Sequence, residues 1–345
     1  MVARCILSLA VACALGLVLT PLVIRVAHAR DLLDRPGGWK THGNPTPQLG
    51  GTSVVWAIVP VLVLLGVDHS RALVVALLLL ALWVLGTIDD RNEVSARLRV
   101  FAVALAGAAL WAERLGWNLR APGAVNLLLT MLWAIGVVNA INLVDLMDGV
   151  AGSVVVAITI AAGALALNHH QDMIGVLALA TAGAVIGFLP YNLTRPARIF
   201  LGDGGSMPVG LVCAVVTLGA LRTTSDGSAL CVGLLLVGFP LLDMGFRIVL
   251  RLHRGISLMT GGPDSLVNRA RERTSGPLAV ALMAGAVQLA LSGAAIVAHE
   301  TGRATVVAVF VVAVATGILC AGALQRWSSS TLEVSSRDRR LPRCK

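Results

Sequence analysis

The chain has 345 residues, of which 57% are hydrophobic and only 13% charged, a balance that excludes a water-soluble globule because too little polar surface remains to cover one. Its formal net charge of +9 does not point to nucleic acid, since the basic residues alternate between connections instead of gathering on one face. The expected fold is all-α, a polytopic membrane bundle of about eleven transmembrane helices, each built from a run near the roughly 20 apolar residues that cross a bilayer.

In chain order, the first apolar segment covers Ile6–Val26. Arg4 before it and Ala27-His28-Ala29 after it resemble a cleavable signal, but the run exceeds the roughly 7–15 residues of such a signal, so the segment is expected to stay. A connection follows that runs from Asp34 through Pro36, Lys40 and His42 to Gly50-Gly51. Its glycines and prolines fix an irregular path that can hold Lys40 and His42 over the membrane surface, where a cation suits a phosphate. A merely basic loop drawn to anionic headgroups would read the same way.

The second and third segments, Gly51–Val67 and Ala72–Ile88, lead to Asp89-Asp90-Arg91, with Arg97 and Arg99 close behind. Adjacent carboxylates repel, and a metal ion or a nearby cation relieves the repulsion. After the fourth segment, Val100–Trp111, the fifth, Val125–Leu143, runs without interruption into a stretch with Asn139, Asn142, Asp145, Asp148 and Gly149. If the helix continues, the four polar residues share one stripe of oxygen donors suited to Mg²⁺ or to a nucleoside; capping by one acid with Gly149 as breaker is the alternative.

The sixth and seventh segments, Val150–Leu167 and Ile174–Leu189, end at Pro190-Tyr191-Asn192, and Gly202-Asp203-Gly204-Gly205-Ser206 opens the eighth, Met207–Leu221. Glycines beside an aspartate let backbone amides approach a phosphate while the carboxylate faces a metal. The ninth segment, Ala229–Leu250, contains Pro240, expected to kink it, and Asp243 one turn before Arg247, read as a structural ion pair. The long connection from His253 to Thr274, with Asp264, Ser265, Asn268 and Arg269, is expected to form a lid or arm; Leu278–Ala298 and Thr305–Leu324 complete the count.

The catalytic unit is expected to span residues 1–327, with 328–345 a basic, disordered cytoplasmic tail. Arginines concentrate in the connections that carry the acids, so that side is read as cytoplasmic, with the N-terminus outside and the C-terminus inside a multi-pass plasma-membrane protein. Asp68, Glu113, His169, His170, Asp172 and Glu300 on the other side are read as solvated loop positions. The six cysteines lack any C-x-x-C spacing and are read as packing residues.

Taken in order, Asp34-x-Pro36 to Lys40-x-His42, Asp89-Asp90, Asn142-x-x-Asp145-x-x-Asp148-Gly149, Pro190-Tyr191-Asn192, Phe200-Leu-Gly-Asp203-x-Gly-Ser206 and Pro240-x-x-Asp243 resemble the polyprenyl-phosphate N-acetylhexosamine-1-phosphate transferase superfamily, glycosyltransferase family 4. The resemblance covers nearly the whole chain, and several motifs in one order are far more specific than any alone. It implies a Mg²⁺-dependent transferase (Mn²⁺ as alternative) that moves a sugar-1-phosphate, GlcNAc-1-phosphate first, from a UDP-N-acetylhexosamine to a polyprenyl phosphate.

In that reading Lys40, Asp89, Asp90 and Asp203 are catalytic, Asp203, Asp90 and Asp148 serve the metal, and His42, Asn142, Asp145, Asp148, Asn192 and Arg269 bind substrate. The partners it implies are the two substrates and the membrane, with a homodimer left open. Three positions depart from the family pattern: Ser265 and Asn268 stand where histidines are usual, and Leu146 where glycine is. They keep a catalytically altered relative as one rival reading. A transporter is the other, and it predicts polar groups near the midplane and a repeat in the hydropathy, neither of which the sequence carries.

Overall fold

A computed structural model describes residues 1–35, 44–257, 262 and 264–338, side chains beyond 323 excepted. Its helices, in chain order, are α1 (Val2–Ala29), α2 (Gly50–Leu65), α3 (His69–Asp89), α4 (Ala96–Ala112), α5 (Gly123–Val144), α6 (Val150–Asn168), α7 (Asp172–Asn192), α8 (Asp203–Ala220), α9 (Ser228–Leu236), α10 (Gly238–Arg254), α11 (Leu266–Arg271), α12 (Pro277–Thr301) and α13 (Arg303–Asp338). Two short strands, β1 (Leu33–Asp34) and β2 (Thr46–Pro47), pair antiparallel between α1 and α2. The all-α membrane bundle expected from the sequence is what forms.

Ten of the eleven expected segments fall on one helix each, and the ninth falls on two, α9 and α10. By length and composition, however, eight described helices are sufficient to cross a membrane, or nine if α9 and α10 count as one broken span. The shortfall lies in α2, with 16 residues, and α4, with 17, which at 1.5 Å per residue fall short of a roughly 30 Å hydrocarbon core.

The bundle is layered around α8. In its most apolar stretch 94% of α8 is buried, against 78% of α7, 72% of α6 and only 11% of α13. Helices apolar all round belong inside, and the ones with one covered side face lipid. The most extensive pairing joins α1 to α7, and the sequence explains it. Gly183 and Gly187, four apart on α7, let the α1 backbone come so close that a Cβ at Gly183 would lie 2.1 Å from the Leu9 carbonyl oxygen and one at Gly187 2.4 Å from that of Cys13. Small residues in this spacing replace the hydrophobic drive that lipid removes. Tyr191 then ties the far end of α7 to α1, its hydroxyl donating to the Leu17 carbonyl at 2.9 Å.

The ninth segment is broken more sharply than a proline kink: α9 and α10 meet at 86°. Pro240 has no N–H to offer the preceding turn and its ring crowds the Leu236 carbonyl. Broken backbone at this depth survives only if its polar groups find partners, and Gln288 of α12 provides them. Its Oε1 accepts from Phe239 N at 2.9 Å, while its Nε2 donates to the carbonyls of Leu236 at 2.9 Å and Leu235 at 3.3 Å. Helix α13 continues as backbone helix to Asp338, inside the stretch expected to be a separate tail.

Candidate active site

The site is assembled at the N-terminus of α8. Residues 199–202 run alongside the start of α2: Phe200 N donates to Pro47 O, Gly50 N to Phe200 O and Gly51 N to Leu201 O, at 2.8–2.9 Å. Gly202, at φ 73°, turns the chain into α8 through a left-handed conformation that favours glycine. The first turn of α8 is then clasped so tightly that a Cβ on Gly86 of α3 would lie 2.2 Å from the Asp203 carbonyl oxygen, and one on Gly51 2.2 Å from Gly205 N.

Asp90 caps this turn from the end of α3. Its Oδ1 accepts from Asp203 N at 2.8 Å and its Oδ2 from Gly204 N at 3.0 Å, satisfying amides that every helix start leaves open. Asp203 itself presents Oδ1 to Asn142 Nδ2 at 2.6 Å and Oδ2 to Arg99 Nη1 at 3.3 Å. The same Arg99 nitrogen donates to Asp89 Oδ2 at 2.6 Å, and Asp89 Oδ1 accepts from Val94 N at 2.7 Å. Arg99 thus cross-links two acids 114 positions apart in the chain. Sequence reasoning gave it no role beyond a loop cation; the available signal was its place in the first turn of α4, ten residues after the Asp89-Asp90 pair.

The expected stripe from Asn139 to Asp148 does not persist. Helix α5 ends at Val144, Asp145 is its C-cap, and Asp148 lies in the turn before α6 that Gly149 closes with φ 78°. Arg247 Nη2 takes the Leu143 carbonyl at 2.8 Å, which fixes the helix end. Asn142 remains on the helix, Asp145 and Asp148 swing onto the turn, and the Gly202 amide donates to the Asp145 carboxylate. Asn192 is buried, with Oδ1 accepting from Gly149 N at 2.7 Å and Nδ2 donating to Ile199 O at 3.0 Å. It joins the two acid-bearing turns.

The Asp243–Arg247 ion pair forms as expected, at 2.9 Å and almost wholly buried. Asp243 Oδ1 also accepts from Leu266 N at 2.7 Å, so one carboxylate ties α10 to α11. Ser265, one of the three positions that depart from the family pattern, is fully buried and caps α11 by accepting from Asn268 N at 2.9 Å. Arg269 is only 9% exposed, lies over the Phe246 ring at 5.2 Å, and leaves Nε and Nη1 without a hydrogen-bond partner among the described residues. A buried guanidinium with open donors suits an incoming anion. Lys40 and His42 lie outside the described residues.

Charge is badly balanced here. Burial first, then the amides that partly oppose it, and the neighbouring Asp89 and Asp34 carboxylates, leave Asp90 titrating at about 6. Asp145 is pushed well above the usual carboxylate range by burial and by the Asp203, Asp90 and Asp148 charges. Among the described residues no three acid, histidine or cysteine groups form a metal cage by themselves. Mg²⁺ does not require one, because it is commonly held by one or two carboxylates plus substrate phosphates, and hard oxygen donors in excess of cations fit that need. The cleft beside Asn142, lined also by Arg99, Val103, Val138, Asn139 and Met207, measures only about 10 Å³, room for roughly one water. A larger ligand must displace Arg99 or part these helices.

Comparison with known proteins identifies the family. Residues 72–220 match the model of glycosyl transferase family 4, a range that includes Asp89, Asp90, Arg99, Asn142, Asp145, Asp148, Asn192 and Asp203. The chain is 30% identical over 286 residues to a decaprenyl-phosphate N-acetylglucosaminephosphotransferase of Mycobacterium leprae, covering 72% of this chain and 71% of the relative. It is 29% identical over 248 residues to a probable undecaprenyl-phosphate N-acetylglucosaminyl 1-phosphate transferase of Bacillus subtilis, 68% of each. It is also 30% identical over 235 residues to a phospho-N-acetylmuramoyl-pentapeptide-transferase of Clostridium perfringens, 62% of this chain and 72% of that one. The chain belongs to glycosyl transferase family 4, within the superfamily of polyprenyl-phosphate N-acetylhexosamine-1-phosphate transferases.

Proposed function

We propose that this protein transfers a hexosamine-1-phosphate, GlcNAc-1-phosphate first among candidates, from a UDP-sugar to a polyprenyl phosphate, with UMP as the leaving group. An oxygen of the lipid phosphate attacks the phosphorus that bears the sugar; a P–O bond forms there and the phosphoanhydride bond to UMP breaks. Such a transfer needs positioning and charge neutralisation more than covalent help. The lipid phosphate needs no strong base if its second pKa resembles the value of about 6 for a phosphoryl side chain.

The observation that carries this reading is the convergence of Asp89 and Asp90 from α3, Asn142 from α5 and Asp203 from α8 around one helix start, inside the family range. Asp203 and Asp148 would hold Mg²⁺, which when bound supplies positive charge against the diphosphate. Asp90 keeps the Asp203 backbone in place, and its remaining lone pairs can face the same ion. Asn142 aims the Asp203 carboxylate. Asp145 and Asp148 line the turn on which the nucleotide-sugar would rest, Asn192 holds that turn against residue 199, and the open nitrogens of Arg269 offer donors to the diphosphate. Lys40 and His42 would contribute from the connection between β1 and β2.

The acid-bearing ends of α3 and α7 and the start of α4 also carry Arg91, Arg97, Arg99, Arg195 and Arg198. By the positive-inside rule this end faces the cytoplasm, which places the N-terminus outside. A second reading, a catalytically altered relative, is favoured by one observation: Ser265 is spent on capping α11 and offers no imidazole-like donor.

One assay separates the readings. Membranes containing the protein are incubated with polyprenyl phosphate, Mg²⁺ and a panel of radiolabelled UDP-sugars, and lipid-linked product and UMP are measured. Product with a UDP-N-acetylhexosamine, lost in Asp203→Asn by more than about 100-fold, supports the proposal. No product with any such donor, where an active relative works alongside, refutes it.

A further inference from the structure

A second polar site lies at the opposite end of the bundle. Helices α3, α7 and α8 each have one end at the acidic site, and their other ends surround a cavity of about 480 Å³ whose lining includes Asp68, His69, Arg71, His170, Asp172 and Arg222. With 21 residues in α3, the two sites are about 30 Å apart. Asp68, His170 and Asp172 read from sequence as solvated loop positions; the fold also brings them together around one cavity.

The lining brings two arginines and two aspartates together, on the side that the positive-inside rule depletes of cations. The connections at this end hold Arg71, Arg114, Arg120, Arg222 and Arg303 together with Asp68, Glu113, Asp172, Asp226 and Glu300, and Arg71 and Arg114 sit close enough to Arg222 to repel it. Arg4 adds a fourth guanidinium, 3.9 Å from Asp172. Of the two acids in the lining, Asp68 is paired with Arg71 at 2.9 Å and caps α3, and Asp172 faces Arg4. Both acids are thus engaged, and Arg222 is the lining arginine they leave unpaired. Arg222 has no ion-pair or side-chain hydrogen-bond partner among the described residues, and desolvation, then Arg71 and Arg114, push its guanidinium below the usual value. Val67, on the cavity wall, and Leu73, one turn into α3, are 51% and 52% exposed, so an apolar, lipid-facing surface adjoins the charged cavity.

We propose that this cavity binds a phosphate anion, supplied as the headgroup of a phospholipid in the leaflet at that end, with Arg222 as its principal ligand. A guanidinium is the side chain best matched to phosphate oxygens. The cavity is roomy enough for a glycerophosphate, whose acyl chains would run down past Val67 and Leu73.

The test uses the purified full chain in nanodiscs of phosphatidylcholine with or without phosphatidylglycerol, reading retained lipid by native mass spectrometry and thermal unfolding. Wild type is expected to retain phosphatidylglycerol and unfold at higher temperature with it. Arg222→Gln should bind it roughly tenfold more weakly, as loss of one charge-assisted contact implies, and Arg222→Lys should keep most of the response. Helix content and elution volume verify that both variants fold. Stabilisation of wild type, but not Arg222→Gln, by inorganic phosphate in phosphatidylcholine discs would assign the same site to a free anion. Equal lipid retention and equal unfolding in wild type and Arg222→Gln, with no response of either to phosphate, would overturn the proposal.

Discussion

Arg99 is the residue whose importance the fold creates. It neutralises Asp89 and Asp203 together, and any divalent ion arriving at Asp203 competes with its charge. Arg99→Gln is therefore expected to lower the half-saturating Mg²⁺ concentration several-fold, since about 1 kcal/mol of opposing charge is removed; metal titration of the purified protein checks this without turnover. Asp90 gives a pH prediction. Its folded-state pKa, about 6 against 3.8, is raised, so the folded chain binds more protons than the unfolded one between those values. Stability contributed by this group is thus present at the low end and declines as pH rises toward about 6. Melting curves in chelator should show that slope flattened in Asp90→Asn, which is also expected to lose about 1–3 kcal/mol because an amide side chain cannot accept from both Asp203 N and Gly204 N.

At the scale of elements, the break between α9 and α10 depends on a side chain from elsewhere. Pro240 announces that the helix must deviate, but Gln288, fully buried 48 residues later, makes an 86° turn tolerable. Gln288→Leu strands the Phe239 N–H and two carbonyls away from water. A loss of several kcal/mol is expected, read as a fall in thermal unfolding temperature, together with reduced transfer because α10 carries Asp243 and Arg247. The expected Asn139–Asp148 stripe went astray for a similar reason. Helical periodicity says where residues would lie if a helix continued; it is blind to a guanidinium 104 residues away that takes the Leu143 carbonyl.

For the whole molecule, α1 is part of the bundle's framework, because α7 gives up side chains at Gly183 and Gly187 to admit it. Gly183→Leu would drive a side chain into the Leu9 backbone, and backbone cannot give way as a flexible side chain can. The variant is expected to be recovered in membranes at a small fraction of the wild-type level, measured by quantitative blotting and by size exclusion of the solubilised protein.

Composition and hydropathy alone determined that the chain is a membrane bundle, since burial in lipid demands apolar runs whatever their packing. Motif order alone determined the family, because a residue's chemistry is written in its identity, and it singled out the acids for which roles are proposed. Tertiary structure decided which of those acids face one another, that Asp90 and Asn192 also hold backbone, that Arg99 lies among the acids, and that α2 and α4 are short. It also decided that polar residues at the opposite end form a cavity. All of these follow from contacts between segments distant in sequence, and such contacts are settled by how helices pack, which no local pattern records.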